Sequence, residues 1–288
     1  MRSSITAAFL AFIPWLPACA SAPRADPGHV LAPDAVEIAY DVRGSGEPTI
    51  VLVHCWCGNR EFWKHQIDEL ARDHRVVRID LPGHGESGRN RAHWTVTGFA
   101  PDVQAVADQL GLQRMILVGH SMGGPVCLAA AARMPGRVLG VVGIDNLHDA
   151  DRGMTKEQVE PFAASLEQAF EAGMRAALAQ MAGAGNAELA EWLTREAVNA
   201  DHAAAVALMR DFAKLDLPAL FQGAGVPIRN VNSANSPWPT NVVANRKYAD
   251  FDARILTGVG HFLQLEDPAR FNPLLHAAIA DVESAPRR

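Results

Sequence analysis

The sequence Met115-Ile-Leu-Val-Gly-His-Ser-Met-Gly-Gly124 decides the fold of this chain. Its first four residues are an apolar run typical of a buried parallel strand, and an alanine-rich helix is predicted directly afterwards, over Met122–Arg133. Between them, Gly-x-Ser-x-Gly places small residues two before and two after Ser121, as a sharp strand-to-helix turn requires. Such a turn presents the serine hydroxyl at the edge of a sheet, beside the positive end of a helix dipole. We therefore predict that Ser121 is a nucleophile.

Outward from this turn, strand-like and helix-like segments alternate along the chain. This alternation predicts an α/β fold, with a mainly parallel sheet covered by helices on both faces. The other predicted strands are Thr49–His54, Val76–Asp80, Val138–Ile144, Ile228–Asn232 and Ala253–Leu256, preceded by an edge strand or hairpin at Val36–Arg43. The other predicted helices are Phe62–Arg72, Phe99–Leu110 and Phe271–Glu283.

The alternation is interrupted over residues 146–225, where Ala, Glu, Gln, Leu and Met dominate. Helical spacing of apolar residues predicts helices within Lys156–Met181 and Ala187–Leu215. We expect a helical lid inserted into a core made of residues 21–145 and 226–288, because ligands of open α/β folds bind at the carboxyl ends of the strands. The alternative is a helical layer without a functional role.

Residues 1–20 have the features of an export signal. Arg2 precedes an apolar run, Ile5 to Leu16, that is too short to span a bilayer, and no transmembrane span is expected. Cleavage after Ala20 would release a periplasmic or secreted protein. Alternatively, Leu16-Pro-Ala-Cys19 resembles a bacterial lipobox, which would leave a lipid anchor on Cys19.

The composition is that of a globular protein, with 49% hydrophobic and 20% charged residues. A net charge of -6 provides no broad basic face, so we expect no nucleic-acid partner. Beyond the signal only Cys55, Cys57 and Cys127 remain, an odd number that does not indicate a disulfide framework. A metal site at His54, Cys55 and Cys57 lacks a second ligand cluster, so small apolar packing residues are the favoured interpretation of these cysteines.

A serine hydroxyl needs a general base within hydrogen-bond reach to act as a nucleophile at neutral pH. His261 is the best candidate, because it follows Gly258 and Gly260 in a loop after the last predicted strand. The order serine before histidine along the chain agrees with this assignment. His120, His84 and His54 have simpler explanations as turn, loop and strand-end residues.

Several landmarks in order along the chain resemble those of the α/β-hydrolases. They are Val51-Leu-Val-His54 leading into Cys55-Trp56, the segment Asp80-Leu-Pro-Gly-His-Gly-Glu-Ser87, the turn at Ser121, and Gly258-Val-Gly-His261-Phe262. The resemblance covers nearly all of the chain after the signal segment. It implies an oxyanion hole formed by the backbone N–H groups of Trp56 and Met122. The usual His-Gly is His54-Cys55 here, and a positive φ at residue 55 would strain the cysteine.

The catalytic acid departs from the commonest pattern of that family. Most relatives carry it after the strand predicted at Ile228–Asn232, but residues 233–241 contain no Asp or Glu, and Asn235 or Ser236 occupies the position. Some branches place the acid one strand earlier, which points to Asp145. Its alternatives are a helix-cap role, Asp149 or Asp151 as the acid, and a site without an acid.

The resemblance thus implies a serine hydrolase that cleaves a small or medium ester through an acyl-enzyme, with no metal or organic cofactor, and residues 1–20 add the expectation of export. His54, Cys55 and Trp238 are expected at the substrate pocket, since they follow strands at the active-site edge. Other reactions on the same scaffold remain open, including carbon–carbon bond hydrolysis, lactone hydrolysis, perhydrolysis and cofactor-free oxygenation. A non-catalytic ligand-binding protein is the alternative from a different class.

Overall fold

A computed structural model describes residues 26–183 and 185–286 of the chain. The predicted export signal and Cys19 lie outside these residues. The strands are β1 (Asp26–Leu31), β2 (Glu37–Arg43), β3 (Thr49–Val53), β4 (Val76–Ile79), β5 (Met115–His120), β6 (Val138–Ile144), β7 (Ile228–Ser233) and β8 (Phe251–Leu256). They form one sheet in the order β1-β2-β4-β3-β5-β6-β7-β8. Strand β2 pairs antiparallel with β1 and β4, and all other pairs are parallel.

The helices cover both faces of the sheet and fill the interval between β6 and β7. They are α1 (Ile67–Leu70), α2 (Ala100–Gln109), α3 (Gly123–Arg133), α4 (Lys156–Gln168), α5 (Phe170–Met181), α6 (Ala187–Ala197), α7 (His202–Asp211), α8 (Leu217–Ala224), α9 (Val242–Asn245), α10 (Leu263–Glu266) and α11 (Pro268–Ser284). Short 3-10 turns lie at Arg60–Trp63, Thr97–Phe99 and Phe212–Lys214. Within the described ranges, no helix is both long and apolar enough to cross a membrane.

The sheet separates two hydrophobic layers. One layer packs α2 and α3 against the sheet through residues such as Val103 and Leu128, and the other packs α11 through Leu275 and Ile279. A third cluster joins α4–α7, here called the cap, to the loop after β3 and to Phe262, so these four helices have a core of their own, whereas α8 packs with the first layer through Phe221. The predicted α/β fold is confirmed.

The differences from the predicted elements have local physical causes. The helix predicted over Phe62–Arg72 is a 3-10 turn followed by α1, because Gln66 is turned inward and its Nε2 donates to the Gln264 carbonyl and to Asn272 Oδ1, both at 2.9 Å. Strand β1 was not predicted, since Pro27 and Gly28 are poor strand formers.

Each of the two segments in which cap helices are predicted contains two α-helices. Ala169, at φ -152° and ψ 76°, separates α4 from α5. Asp201 starts α7 by accepting a hydrogen bond from the Ala204 amide at 2.9 Å, which separates α7 from α6.

Candidate active site

Ser121 lies on a strained turn between β5 and α3. Its φ is 51°, a conformation that non-glycine residues rarely adopt. A Cβ at Gly119 would lie 2.2 Å from the Gly123 carbonyl oxygen, and a Cβ at Gly123 would lie 2.4 Å from the Val53 carbonyl oxygen. The two glycines of the motif are therefore needed for the turn to close against β3. The Ser121 amide donates to the Ile144 carbonyl at 2.9 Å, which ties the turn to the end of β6.

His261 and Asp145 are joined by a short hydrogen bond. The His261 Nδ1–H donates to Asp145 Oδ2 at 2.6 Å. Asp145 directly follows β6 and has φ 44°, so its side chain turns along the edge of the sheet. With Nδ1 engaged as a donor, Nε2 is the ring nitrogen left to accept a proton from a nucleophile.

The environment of Asp145 favours its charged form. Its side chain is 2% exposed, and its second oxygen, Oδ1, accepts the Ser233 amide at 2.8 Å. Burial alone would raise the pKa of this carboxyl, but the hydrogen bond and positive charge of His261, the nearby His148 and the Ser233 amide together lower it below the ordinary value. Asp145 is thus a buried carboxylate that stays ionised and that can stabilise an imidazolium at His261.

The backbone of His261 is anchored beside the turn that carries Ser121. The ring of His120, the residue before the serine, lies 4.8 Å from the ring of His261, centroid to centroid. His120 Nε2 donates to the His261 carbonyl at 2.9 Å, while Gln264 Nε2 donates to His120 Nδ1 at 3.2 Å. Burial lowers the pKa of His120 to about 3, so the ring stays neutral and acts as a structural link between the two loops.

The loop after β3 contains the predicted oxyanion donor Trp56. In the part of the chain that the structure describes, the backbone N–H groups of Trp56 and Met122 have no hydrogen-bond acceptor, as donors to an oxyanion must. The positive φ of this loop, 56°, falls on Cys57 and not on Cys55. The anticipated strain is therefore displaced by two residues.

Cys55 fills space that a glycine at residue 58 leaves open. A Cβ at Gly58 would lie 2.8 Å from Cys55 Sγ, and the Gly58 amide donates to the Cys55 carbonyl at 3.0 Å. Burial raises the pKa of Cys55 to about 12 and raises that of Cys57 as well. Neither thiol supplies a thiolate near neutral pH, so a cysteine nucleophile is disfavoured.

The three residues expected at the pocket have different surroundings. His54 is fully buried: its Nε2 accepts the Leu81 amide at 2.9 Å and its Nδ1–H donates to the Cys55 carbonyl at 2.7 Å, so both ring nitrogens are engaged by backbone. Burial lowers its pKa to about 4. Cys55 is 3% exposed and packs against the cap cluster, whereas Trp238 is 47% exposed on the loop after β7. His54 therefore shapes the loop that carries Trp56 and offers no ring nitrogen to a ligand.

The alternative acids are directed elsewhere. Asp149 accepts from the Asn241 side chain at 2.9 Å, and Asp151 accepts from Lys247 Nζ at 2.6 Å and from the Tyr248 hydroxyl at 2.7 Å. The carboxylate that the structure pairs with His261 is that of Asp145.

A second histidine near Asp145 was not predicted from the sequence. His148 Nε2 lies 3.8 Å from Asp145 Oδ1 and 3.3 Å from Ser236 Oγ. Asn232 Oδ1 accepts the Asn146 backbone amide at 3.3 Å, which orients Asn232 Nδ2 toward His148 Nδ1 at 3.3 Å. The proton of His148 therefore lies on Nε2, facing Asp145. The spacing of three residues between Asp145 and His148 is the sequence signal that could have predicted this proximity.

A mainly parallel sheet with one antiparallel strand near its edge, a serine on a strained turn after the central strand β5, and a histidine–carboxylate pair beyond it define the α/β-hydrolase class. A family model described as alpha/beta hydrolase fold matches residues 48–222. The chain belongs to the α/β-hydrolase fold family.

Known proteins resemble the chain over different extents. The chain is 37% identical over 108 residues to the dihydrolipoyllysine-residue acetyltransferase component of the acetoin cleaving system of Cupriavidus necator, covering 38% of this chain and 29% of that protein. It spans less than half the length of the first curated relatives that it matches.

Solved structures match over most of the chain. One is an N-acyl homoserine lactone degrading enzyme, with a TM-score of 0.74 and 25% identity, over 87% of this chain and 99% of the other. Another is a thermophilic esterase from Thermogutta terrifontis, with a TM-score of 0.77 and 22% identity, over 90% of this chain and 100% of the other. At these identities the likeness concerns the fold.

Proposed function

We propose that this protein is a serine hydrolase that cleaves a carboxylic ester, with Ser121, His261 and Asp145 as its catalytic triad. The observation that carries the proposal is the 2.6 Å hydrogen bond from His261 Nδ1 to the buried Asp145, on a loop that His120 ties to the strained turn of Ser121. A partly exposed histidine paired with a buried, ionised carboxylate beside a strained serine turn is typical of a catalytic site.

In the proposed reaction the Ser121 hydroxyl attacks the ester carbonyl carbon while His261 Nε2 accepts its proton. The Trp56 and Met122 amides stabilise the oxyanion, and Asp145 stabilises the imidazolium. Collapse of the tetrahedral intermediate passes the proton to the leaving alcohol and leaves an acyl-serine. Water, deprotonated by His261, then attacks the acyl-serine and releases the acid. A lactone is an internal ester, so the same groups would open one.

The cap is proposed to act as a lid that forms one wall of the substrate site. Phe162 of α4 packs edge-on against Trp56, with ring centroids 5.9 Å apart, and Trp56 Nε1 donates to the Ala205 carbonyl of α7 at 2.9 Å. The residue proposed to bind the oxyanion therefore contacts two cap helices directly. Aromatic side chains at this position favour substrates with an apolar acyl group.

Export of the protein remains a proposal that rests on the first 20 residues of the sequence.

The proposal is tested by labelling the purified protein with a fluorophosphonate, beside its Ser121→Ala variant, and by assaying nitrophenyl esters of short and long acyl chains. We expect labelling and ester turnover in the unmodified protein and neither in Ser121→Ala. A folded protein that takes up no label and turns over no ester would refute the proposal and would favour a ligand-binding role.

A further inference from the structure

The backbone around His261 is held at four polar atoms, more than a surface loop requires. The Gly260 and Phe262 amides, on either side of the histidine, donate to the two carboxylate oxygens of Glu266 at 2.6 and 2.9 Å. The His261 amide donates to the Met181 carbonyl at 2.8 Å. Its carbonyl accepts from His120 Nε2 at 2.9 Å. Three consecutive amides are thus satisfied by Glu266 and by the cap.

The contact with the cap is made by backbone, at the end of helix α5. Met181 is the last residue of α5, and the last carbonyl groups of a helix receive no hydrogen bond from an amide of the same helix. A Cβ at Gly260 would lie 2.4 Å from the Met181 carbonyl oxygen and 2.6 Å from the Gly183 nitrogen. A Cβ at Gly183 would lie 2.6 Å from Glu266 Oε2. Because both residues are glycines, the end of α5 and the loop that carries His261 can approach each other more closely than side chains would allow.

We propose that Glu266 is a positioning residue for His261, and that Glu266 and the Met181 carbonyl together couple the orientation of His261 to the end of helix α5. The inference rests on the proposed function only in taking His261 as the general base. Hydrogen bonds to a carboxylate are stronger than those to a neutral acceptor, so Glu266 holds both flanking amides firmly.

The consequence for catalysis follows from geometry. With Nδ1 fixed on Asp145 and the backbone fixed on Glu266 and Met181, the His261 ring has little freedom to move away from Ser121. A displacement of about 1 Å in such a group costs about 100-fold in rate. The end of helix α5 thus acts on the position of His261 through backbone, because the Met181 carbonyl holds the residue between the two amides that Glu266 binds.

The first test is the Glu266→Gln variant. Glutamine has the same shape but only one acceptor oxygen, so its NH2 group opposes one of the two amides. We expect kcat for a nitrophenyl ester to fall about 10- to 100-fold with KM unchanged, because the change affects positioning and not binding. We also expect the downfield proton NMR signal of His261 Nδ1–H to shift or broaden. A folded variant with unchanged kcat and an unchanged Nδ1–H signal would overturn the proposal.

The second test compares Gly183→Ala with Gly185→Ala. Both glycines have positive φ, 76° and 87°, so alanine strains the two backbones similarly. A Cβ at Gly183 meets Glu266 Oε2, whereas a Cβ at Gly185 meets no described atom within 4 Å. We expect Gly183→Ala to lower kcat and to perturb the His261 signal, and Gly185→Ala to do neither. Equal effects of the two variants would overturn the coupling to the cap.

The NMR signal separates this inference from the proposed function, because it needs no substrate. If no ester is turned over but Glu266→Gln and Gly183→Ala still perturb the His261 proton, the proposed function fails and the positioning role stands. If esters are hydrolysed and neither variant changes kcat or the signal, the positioning role fails and the proposed function stands.

Discussion

Replacing Asp145 by asparagine changes one atom of the proposed site, and the structure determines how that atom is oriented. The Ser233 amide donates to Asp145 Oδ1 at 2.8 Å, so the asparagine oxygen must take this position. The asparagine NH2 then faces His261 Nδ1, which lies 2.6 Å from Oδ2 in the unmodified protein. Because an NH2 group donates, Nδ1 must accept, and the proton of the imidazole moves to Nε2. A histidine protonated on Nε2 cannot accept the proton of Ser121.

The expected loss follows from this change of tautomer and from the loss of charge. Replacing the acid of a serine triad by asparagine lowers kcat by about four orders of magnitude. This loss corresponds to about 5.4 kcal/mol of activation free energy. Flipping the asparagine does not restore activity, because its NH2 would then oppose the Ser233 amide, and both groups are donors.

The assay is nitrophenyl ester turnover by Asp145→Asn beside Asp149→Asn, with a urea titration of each variant to verify folding. Asp149 accepts hydrogen bonds from the Asp151 amide at 3.0 Å and from the Asn241 side chain at 2.9 Å, so its variant controls for a general effect on this loop. We expect Asp149→Asn to retain turnover. A folded Asp145→Asn that keeps kcat within about tenfold of the unmodified protein would refute the reasoning.

Three further predictions concern burial and packing. Iodoacetamide should leave Cys55 and Cys57 unmodified in the native protein and should label them after unfolding in urea, because both thiols are buried and their pKa is raised; mass spectrometry of native and unfolded samples checks this. Trp56→Phe should lower the free energy of unfolding by about 1 kcal/mol, measured by urea titration, because the phenyl ring cannot donate to the cap carbonyl that Trp56 Nε1 reaches. In urea titrations, the free energy of unfolding should decrease as the pH is lowered from 7 to 4.5. Three buried histidines with lowered pKa stay neutral in the folded state, whereas in the unfolded chain they take up protons below a pKa of about 6.5. Each contributes a slope of about 1.4 kcal/mol per pH unit, opposed below pH 6 by Asp102, whose pKa burial raises to about 6. The three histidines are His54, His84 and His120.

The sequence predicts the central strands well because they are buried on both faces. Continuous apolar runs such as Met115–His120 and Val138–Ile144 have few structural alternatives, and parallel strands place their carboxyl ends at one edge of the sheet. Residues that follow different strands are thereby brought together, as Asp145 and His261 are. Their pairing was predictable in kind from the order of the strands, but its 2.6 Å distance required the structure.

The rest depends on contacts between residues far apart in the chain. The inward turn of Gln66 is determined by Gln264 and Asn272, which lie about 200 residues further along the chain. No local pattern shows that Glu266 binds the amides on both sides of His261, since a carboxylate in a short helix is usually solvated. Periodicity reports which face of an element is buried and not which neighbour buries it.

The position of Asp145, the proposed acid, illustrates why one strand can replace another at this site. Strands β6 and β7 are neighbours in the sheet, and the Asp145 amide donates to the Val231 carbonyl at 3.0 Å, so Asp145 starts beside the end of β7. The Ser233 amide at the end of β7 then donates to the carboxylate of Asp145. The strand that carries the acid in most α/β-hydrolases here supplies a hydrogen-bond donor to Asp145, and the proposed acid follows the strand beside it. Because the two strand ends lie side by side, a carboxylate that follows either strand can reach the same histidine. At Asp145, the left-handed φ of 44° directs the side chain to that position.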